Sequence, residues 1–146
     1  MASIIASEAT ATRCLLVVAK PAGAPELRRL REIAPGRRLE LRVLAPAFVR
    51  SRLQFLTSDV DEGIRRARGR LERSLAEIEA DGELRARGEV GDADPLLAID
   101  CALATFAADE IVIVRSGERR NWGERRLAAQ VGERFSVPVR EIEPAL

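Results

Sequence analysis

Histidine and tyrosine are absent from this 146-residue chain, and tryptophan and methionine occur once each. Without an imidazole there is no Ser-His-Asp or Cys-His catalysis, no histidine metal site and no histidine pH switch, because each needs a group that titrates near neutrality. Cysteine is nearly as scarce. Cys14 and Cys101 stand far apart inside apolar stretches, which excludes a disulfide framework and a CxxC redox or zinc motif. Both are expected to be buried packing residues. Long apolar runs are also lacking: no segment approaches the roughly 20 residues that span a bilayer, and Met1 to Thr12 has no basic region ahead of an apolar core. The expectation is a cytoplasmic protein with no membrane partner, in which residues 1–12 form a flexible tail and residues 13–146 one domain.

Charge of one sign is not in excess. Basic and acidic residues number 24 and 23, so no overall field steers the protein onto nucleic acid, and no nucleic-acid partner is expected. Lys20 is the single lysine; the other basic residues are arginines. What the chain does have is 47% hydrophobic and 32% charged residues, the balance of a globular domain with one ordinary core.

Arg13 to Ala19 is short, continuous and apolar, as expected of a strand covered on both faces. After Gly23 and Pro25, the residues Leu27, Leu30, Ile33 and Ala34 recur at helical spacing until Pro35-Gly36. Arg38 to Leu44 alternates charged and aliphatic residues, which predicts a strand with one wetter face, near a sheet edge. Ala45 to Thr57 has no clean period and reads as an excursion whose apolar residues, Phe48 among them, tuck back onto the core. Asp59 to Ala80 carries the stripe Ile64, Ala67, Leu71, Leu75 and Ile78 of a long helix, with Ser58 and Asp61 as a capping box and Gly82 as its stop. No base accompanies Thr57 or Ser58, so capping, not nucleophilic chemistry, is their expected role.

Leu84 to Val90 reads as a third strand. Gly91 to Pro95 reads as a strand-to-helix turn in which Asp94 caps the orphan N–H groups and Pro95 opens the helix; turn and cap account for Asp92 and Asp94 without a metal or acid–base role. That helix runs through Leu96, Leu97, Ile99, Leu103 and Phe106. Glu110 to Val114 is a second continuous buried strand. A polar loop, Arg115 to Trp122, leads to a helix capped by Asn121 and Glu124, with Leu127, Ala128, Val131 and Phe135 on its apolar face, and Val137 to Ile142 closes the sheet. Strand and helix alternate throughout, which predicts right-handed crossovers and a mainly parallel sheet between two helical layers. In such a sheet ligands bind beyond the carboxyl ends of the strands where strand order reverses, so the loops after Ala19 and Val114 carry the candidate site.

This order of elements, with Cys14–Lys20 (CLLVVAK), Gly91–Ile99 (GDADPLLAI) and Ala108–Val114 (ADEIVIV) followed by a loop, a helix and Val137-Pro138-Val139, resembles the universal stress protein family over nearly the whole chain, from Arg13 to Ile142. The resemblance implies a three-layer α/β/α fold of the adenine-nucleotide α-hydrolase-like kind, with five mainly parallel strands in the order 3-2-1-4-5. It also implies a homodimer formed through the last strand. Family members that bind ATP carry an aspartate at the end of the first strand and a G-x2-G-x9-G-(S/T) loop after the fourth. Here the first position is Lys20, and the loop reads Ser116-Gly117-Glu118-Arg119-Arg120-Asn121-Trp122-Gly123, with Gly132 followed by Glu133. The stretch from Asn121 to Val139 resembles a divergent subgroup that has lost the glycine loop.

No cofactor is expected, ATP or AMP being what the family's own site would take. Two readings of the candidate site compete. In one, Lys20, Arg115, Arg119 and Arg120 converge with Ser116, Gly117 and Gly123 around a small anionic or nucleotide ligand, and Asn121 and Trp122 form a platform for it. In the other, these are solvated loop charges paired with Glu118 and Glu124, a cap and a packing residue. The leading functional expectation is a non-catalytic module of a stress response that acts by dimerisation and by binding a partner or small ligand. The alternatives are a nucleotide-binding protein or ATPase with a remodelled loop at Arg115 to Gly123, and an anion sensor built around Lys20.

Overall fold

The continuous apolar runs become the centre of a five-stranded, all-parallel sheet in the order β3-β2-β1-β4-β5, in a computed structural model that describes residues 11–48, 61–116 and 126–143. The strands are β1 (Thr12–Val18), β2 (Leu39–Pro46), β3 (Arg85–Gly91), β4 (Glu110–Val114) and β5 (Val139–Ile142), and the helices are α1 (Ala24–Ile33), α2 (Asp61–Asp81), α3 (Pro95–Thr105) and α4 (Leu127–Arg134). β1 begins at Thr12, within the stretch expected to be a tail.

Alternation along the strands divides the core into two layers. Leu16, Val18, Leu41, Val43 and Val112 face α1 and α2, packing on Leu27, Leu30, Ala67, Leu71 and Ile78. Leu15, Val17, Leu44, Ile111 and Ile113 face α3 and α4, packing on Ala98, Ile99, Phe106, Leu127 and Val131. Each fully buried aliphatic side chain contributes roughly 1.5–3 kcal/mol, so the paired layers on β1 and β4 dominate the stability.

The helix ends follow their sequence signals where those lie among the described residues. Asp94 accepts the Leu96 N–H at 3.1 Å and Asp92 accepts the Asp94 N–H at 2.8 Å, so the turn-and-cap reading of these carboxylates holds. Gly82, with φ of 79°, takes the left-handed conformation that ends α2. The Ser58 cap and the Asn121–Glu124 cap lie outside the described residues. α4 itself begins at Leu127, with Arg126 in left-handed backbone as its N-cap, later than the sequence pattern placed it.

As expected, β2 lies toward one side of the sheet, one strand in from the edge strand β3. Its wetter face arises where α3, packed on the carboxyl half of β2, leaves Glu40 and Arg42 uncovered. Three expectations need correction. β2 runs on to Pro46, two residues into the stretch read as an excursion, although Phe48 is buried as expected. Pro138 precedes β5 and does not belong to it; its carbonyl accepts the Ile111 N–H at 2.8 Å. Cys101 is exposed on the outer side of α3 beside Asp100, because that helix is apolar at most of its positions and hydrophobicity alone poorly tells its inner face from its outer one. Cys14 is buried as expected, and burial, reinforced by the charge of Glu110, pushes its thiol up to about 12.

Candidate functional site

Strand order reverses between β1 and β4, where the Ala19 N–H donates to the Val114 carbonyl at 3.0 Å and holds the two exits together. Lys20 leaves β1 at this point. Its ammonium meets the Glu26 carboxylate at 3.1 Å, and the other oxygen of Glu26 accepts the Gly23 N–H at 2.7 Å. Glu26 is the third residue of α1, so this is the return half of a capping box in which the helix supplies the carboxylate and a glycine supplies the orphan donor.

Glu26 is buried, with 3% of its surface exposed. Burial alone would raise its pKa, but the Gly23 N–H, the hydrogen bond from Lys20 and the positive charge of Lys20 outweigh it and hold the carboxyl below its ordinary range. Lys20 is therefore committed to a partner seated under the turn.

α2 closes the same end of the sheet from above β1 and β2. Arg70 reaches across the strand ends, its Nε donating to the Val18 carbonyl at 3.3 Å and its Nη2 to the Pro46 carbonyl at 2.5 Å, with the guanidinium 5.7 Å from the Phe48 ring centre. Arg66, one turn earlier, donates to the Phe48 carbonyl at 3.1 Å. Ser74, fully buried, donates to the Arg70 carbonyl at 2.8 Å and accepts the Ala22 N–H at 3.0 Å, which fastens α2 to the turn after β1. Strand-end carbonyls are thus met by arginines of the chain itself.

Arg115, at the end of β4, turns the other way. Its guanidinium pairs with Glu141 at 3.3 Å and with Glu143 at 3.1 Å, and its N–H donates to the Ile142 carbonyl at 3.0 Å. Ser116 is half-buried beside it. Among the described residues, Lys20 thus pairs with Glu26, and Arg115 with Glu141 of β5 and with Glu143 just after it; the pairing with Glu118 and Glu124 that the sequence suggested lies outside the described residues. Gly117, Arg119, Arg120, Asn121, Trp122 and Gly123 lie outside the described residues, as do Glu118 and Glu124.

Glu26, Arg66, Arg70 and Ser74 were not singled out from the sequence. The Gly23-x-x-Glu26 spacing was a readable signal for the first; the others are polar positions within an amphipathic helix, where the expected fate is solvent. Among the described residues there is no group of histidine, cysteine or carboxylate side chains able to hold a metal ion, and no helix long and apolar enough to cross a membrane. In comparisons with known proteins, no family model and no curated protein matches the chain.

Proposed function

We propose that the chain is a universal stress protein-like module that acts without catalysis, by dimerisation and by binding a partner or small ligand, and that it does not take ATP in that family's usual way. The observation that carries this reading is the Lys20–Glu26 pair. Where the resemblance would put a carboxylate to receive adenosine, the chain has an ammonium already neutralised by a buried carboxylate. A nucleotide entering there has to break that pair or sit above it. Arg70 and Ser74 reinforce the closure from α2. A stress-response role in the cytoplasm belongs to the same proposal and rests on the resemblance alone.

The dimer is proposed through β5, whose outer side is a sheet edge. Thermal shift with ATP, AMP, cyclic AMP and phosphate tests the ligand half, since a tight ligand raises the apparent stability by mass action. No more than trivial stabilisation by ATP is expected. An ATP-dependent shift that disappears in Lys20→Ala, or ATP turnover above background, would replace the proposal with the nucleotide-binding reading. Size exclusion with light scattering tests the dimer, and a strictly monomeric species would overturn that half.

A further inference from the structure

The opposite end of the sheet holds charge that the chain leaves unmatched. On the face of β2 and β3 that α3 does not cover, Arg42 and Arg87 are register partners on adjacent parallel strands, and Glu40 and Arg85 are the pair before them. Neighbouring strands lie about 4.8 Å apart, so Arg42 and Arg87 stand side by side with like charge, an arrangement that destabilises a sheet. Neither has a carboxylate partner among the described residues. The two glutamates that line the same groove are engaged elsewhere, Glu40 with Arg13 at 3.5 Å and Glu83 with Arg31 at 3.8 Å. Arg38 and Arg85 at the groove's mouth are likewise without an ion-pair partner among the described residues. The guanidinium of Arg42 is set 5.0 Å from the Phe106 ring centre, and both residues line the groove.

We propose that this groove, about 710 Å³ in volume, binds a small phosphorylated molecule, its phosphate held between Arg42 and Arg87 with Arg38 and Arg85 at the mouth. Guanidinium pairs match the oxygens of a phosphate with parallel hydrogen bonds, and a dianion relieves the repulsion between them. The size suits a small ligand. A nucleic acid fits less well. Phe106 is buried and offers no face for a base, and Glu40 and Glu83 interrupt the arginines where a continuous polyanion would have to pass. The site stands apart from the β1–β4 exits and does not depend on the function proposed above.

The test is an amide NMR titration with inorganic pyrophosphate, repeated with a short and a long single-stranded oligonucleotide. Saturable shifts centred on Arg42, Arg87 and Phe106 are expected, with affinity reduced about tenfold or more in Arg87→Gln, the usual effect of removing a charged hydrogen bond. Arg68→Gln removes the same charge from the exposed side of α2 and is expected to leave the affinity unchanged. Because Arg87 contributes repulsion to the fold, Arg87→Gln is expected to melt at or above the parent temperature, which separates lost binding from lost structure. The proposal is overturned by an absence of saturable shifts, by shifts centred on Lys20 and Gly23, or by equal affinity in Arg87→Gln. Oligonucleotide affinity that rises with length and exceeds that of pyrophosphate would overturn it in favour of a polyanion surface.

Discussion

Substituting Glu26→Gln removes one charge from the turn after β1 while keeping the side chain's shape and an oxygen that can still accept the Gly23 N–H. What is lost is the charge that faces Lys20 at 3.1 Å. Breaking a fully buried pair costs about 3–5 kcal/mol, and a hydrogen bond to a charged group contributes about 1.5–3 kcal/mol. Lys20 keeps 27% of its side chain exposed, so water recovers part of its solvation and the cost belongs near the lower range, about 2–3 kcal/mol. For a domain of this size that corresponds to a melting temperature lower by roughly 6–10 °C.

Acid gives the same reasoning a second check. The folded-state pKa of Glu26 is lowered from 4.5, so its contribution is fully present above the unfolded value and is lost as pH falls through the folded one. The stability gap between parent and Glu26→Gln is therefore constant from neutral pH to about 5 and closes in more acid solution. Urea unfolding followed by circular dichroism, at neutral pH and at a series of acid values, measures both. A gap below about 0.5 kcal/mol at neutral pH, within the ordinary scatter of surface substitutions, or a gap that widens in acid, refutes the pairing as a stabilising element.

Three further outcomes follow from the packing. Ser74→Ala leaves the buried Ala22 N–H without its acceptor and is expected to cost about 1–3 kcal/mol in chemical denaturation, since the alanine itself is well tolerated in a helix. Gly63→Ala places a Cβ 2.9 Å from the carbonyl oxygens of Ala47 and Phe48, backbone atoms that cannot swing aside, so a loss of about 1–3 kcal/mol is expected despite a gain in helix propensity near 1 kcal/mol. With a thiol reagent at neutral pH, exposed Cys101 is expected to react in the native state, whereas buried Cys14 waits for unfolding; two equally fast thiols would contradict the packing of β1.

The central place of β1 and β4 was legible because continuous apolar runs at Arg13–Ala19 and Glu110–Val114 require cover on both faces, and only central strands of an α/β sheet receive it; the full strand order came from the resemblance. The Asp94–Pro95 cap was legible because its hydrogen bonds are local. The side chains that close the candidate site were hidden for the opposite reason. Arg70 and Ser74 meet β1 and the turn after it across 52 positions of chain, and nothing in the helical period of α2 marks a polar residue as buried. The outward face of α3 misled in the same way, because a helix apolar at most of its positions gives little phase to read beyond the single charge of Asp100, and Cys101 and Leu97 fall on its exposed side.

The two ends of the sheet treat positive charge in opposite ways, and that difference assigns their roles. At the β1 exit, the ammonium of Lys20 has a carboxylate, that carboxylate has a backbone donor, and Arg70 has strand-end carbonyls; the charges that face the strand ends are met from within, while the Nε of Arg66 alongside is buried without a hydrogen-bond partner among the described residues. At the other end, Arg42 and Arg87 are set side by side while the two glutamates that line the groove, Glu40 and Glu83, contact Arg13 and Arg31. An arginine pair that only had to be soluble would cost less if placed apart, and β3 has exposed positions enough to allow it. Repulsion retained on a sheet face is a cost to folding that a bound anion offsets, so the end with the arginine pair, not the one closed by Lys20 and Glu26, is where an anion has most to gain.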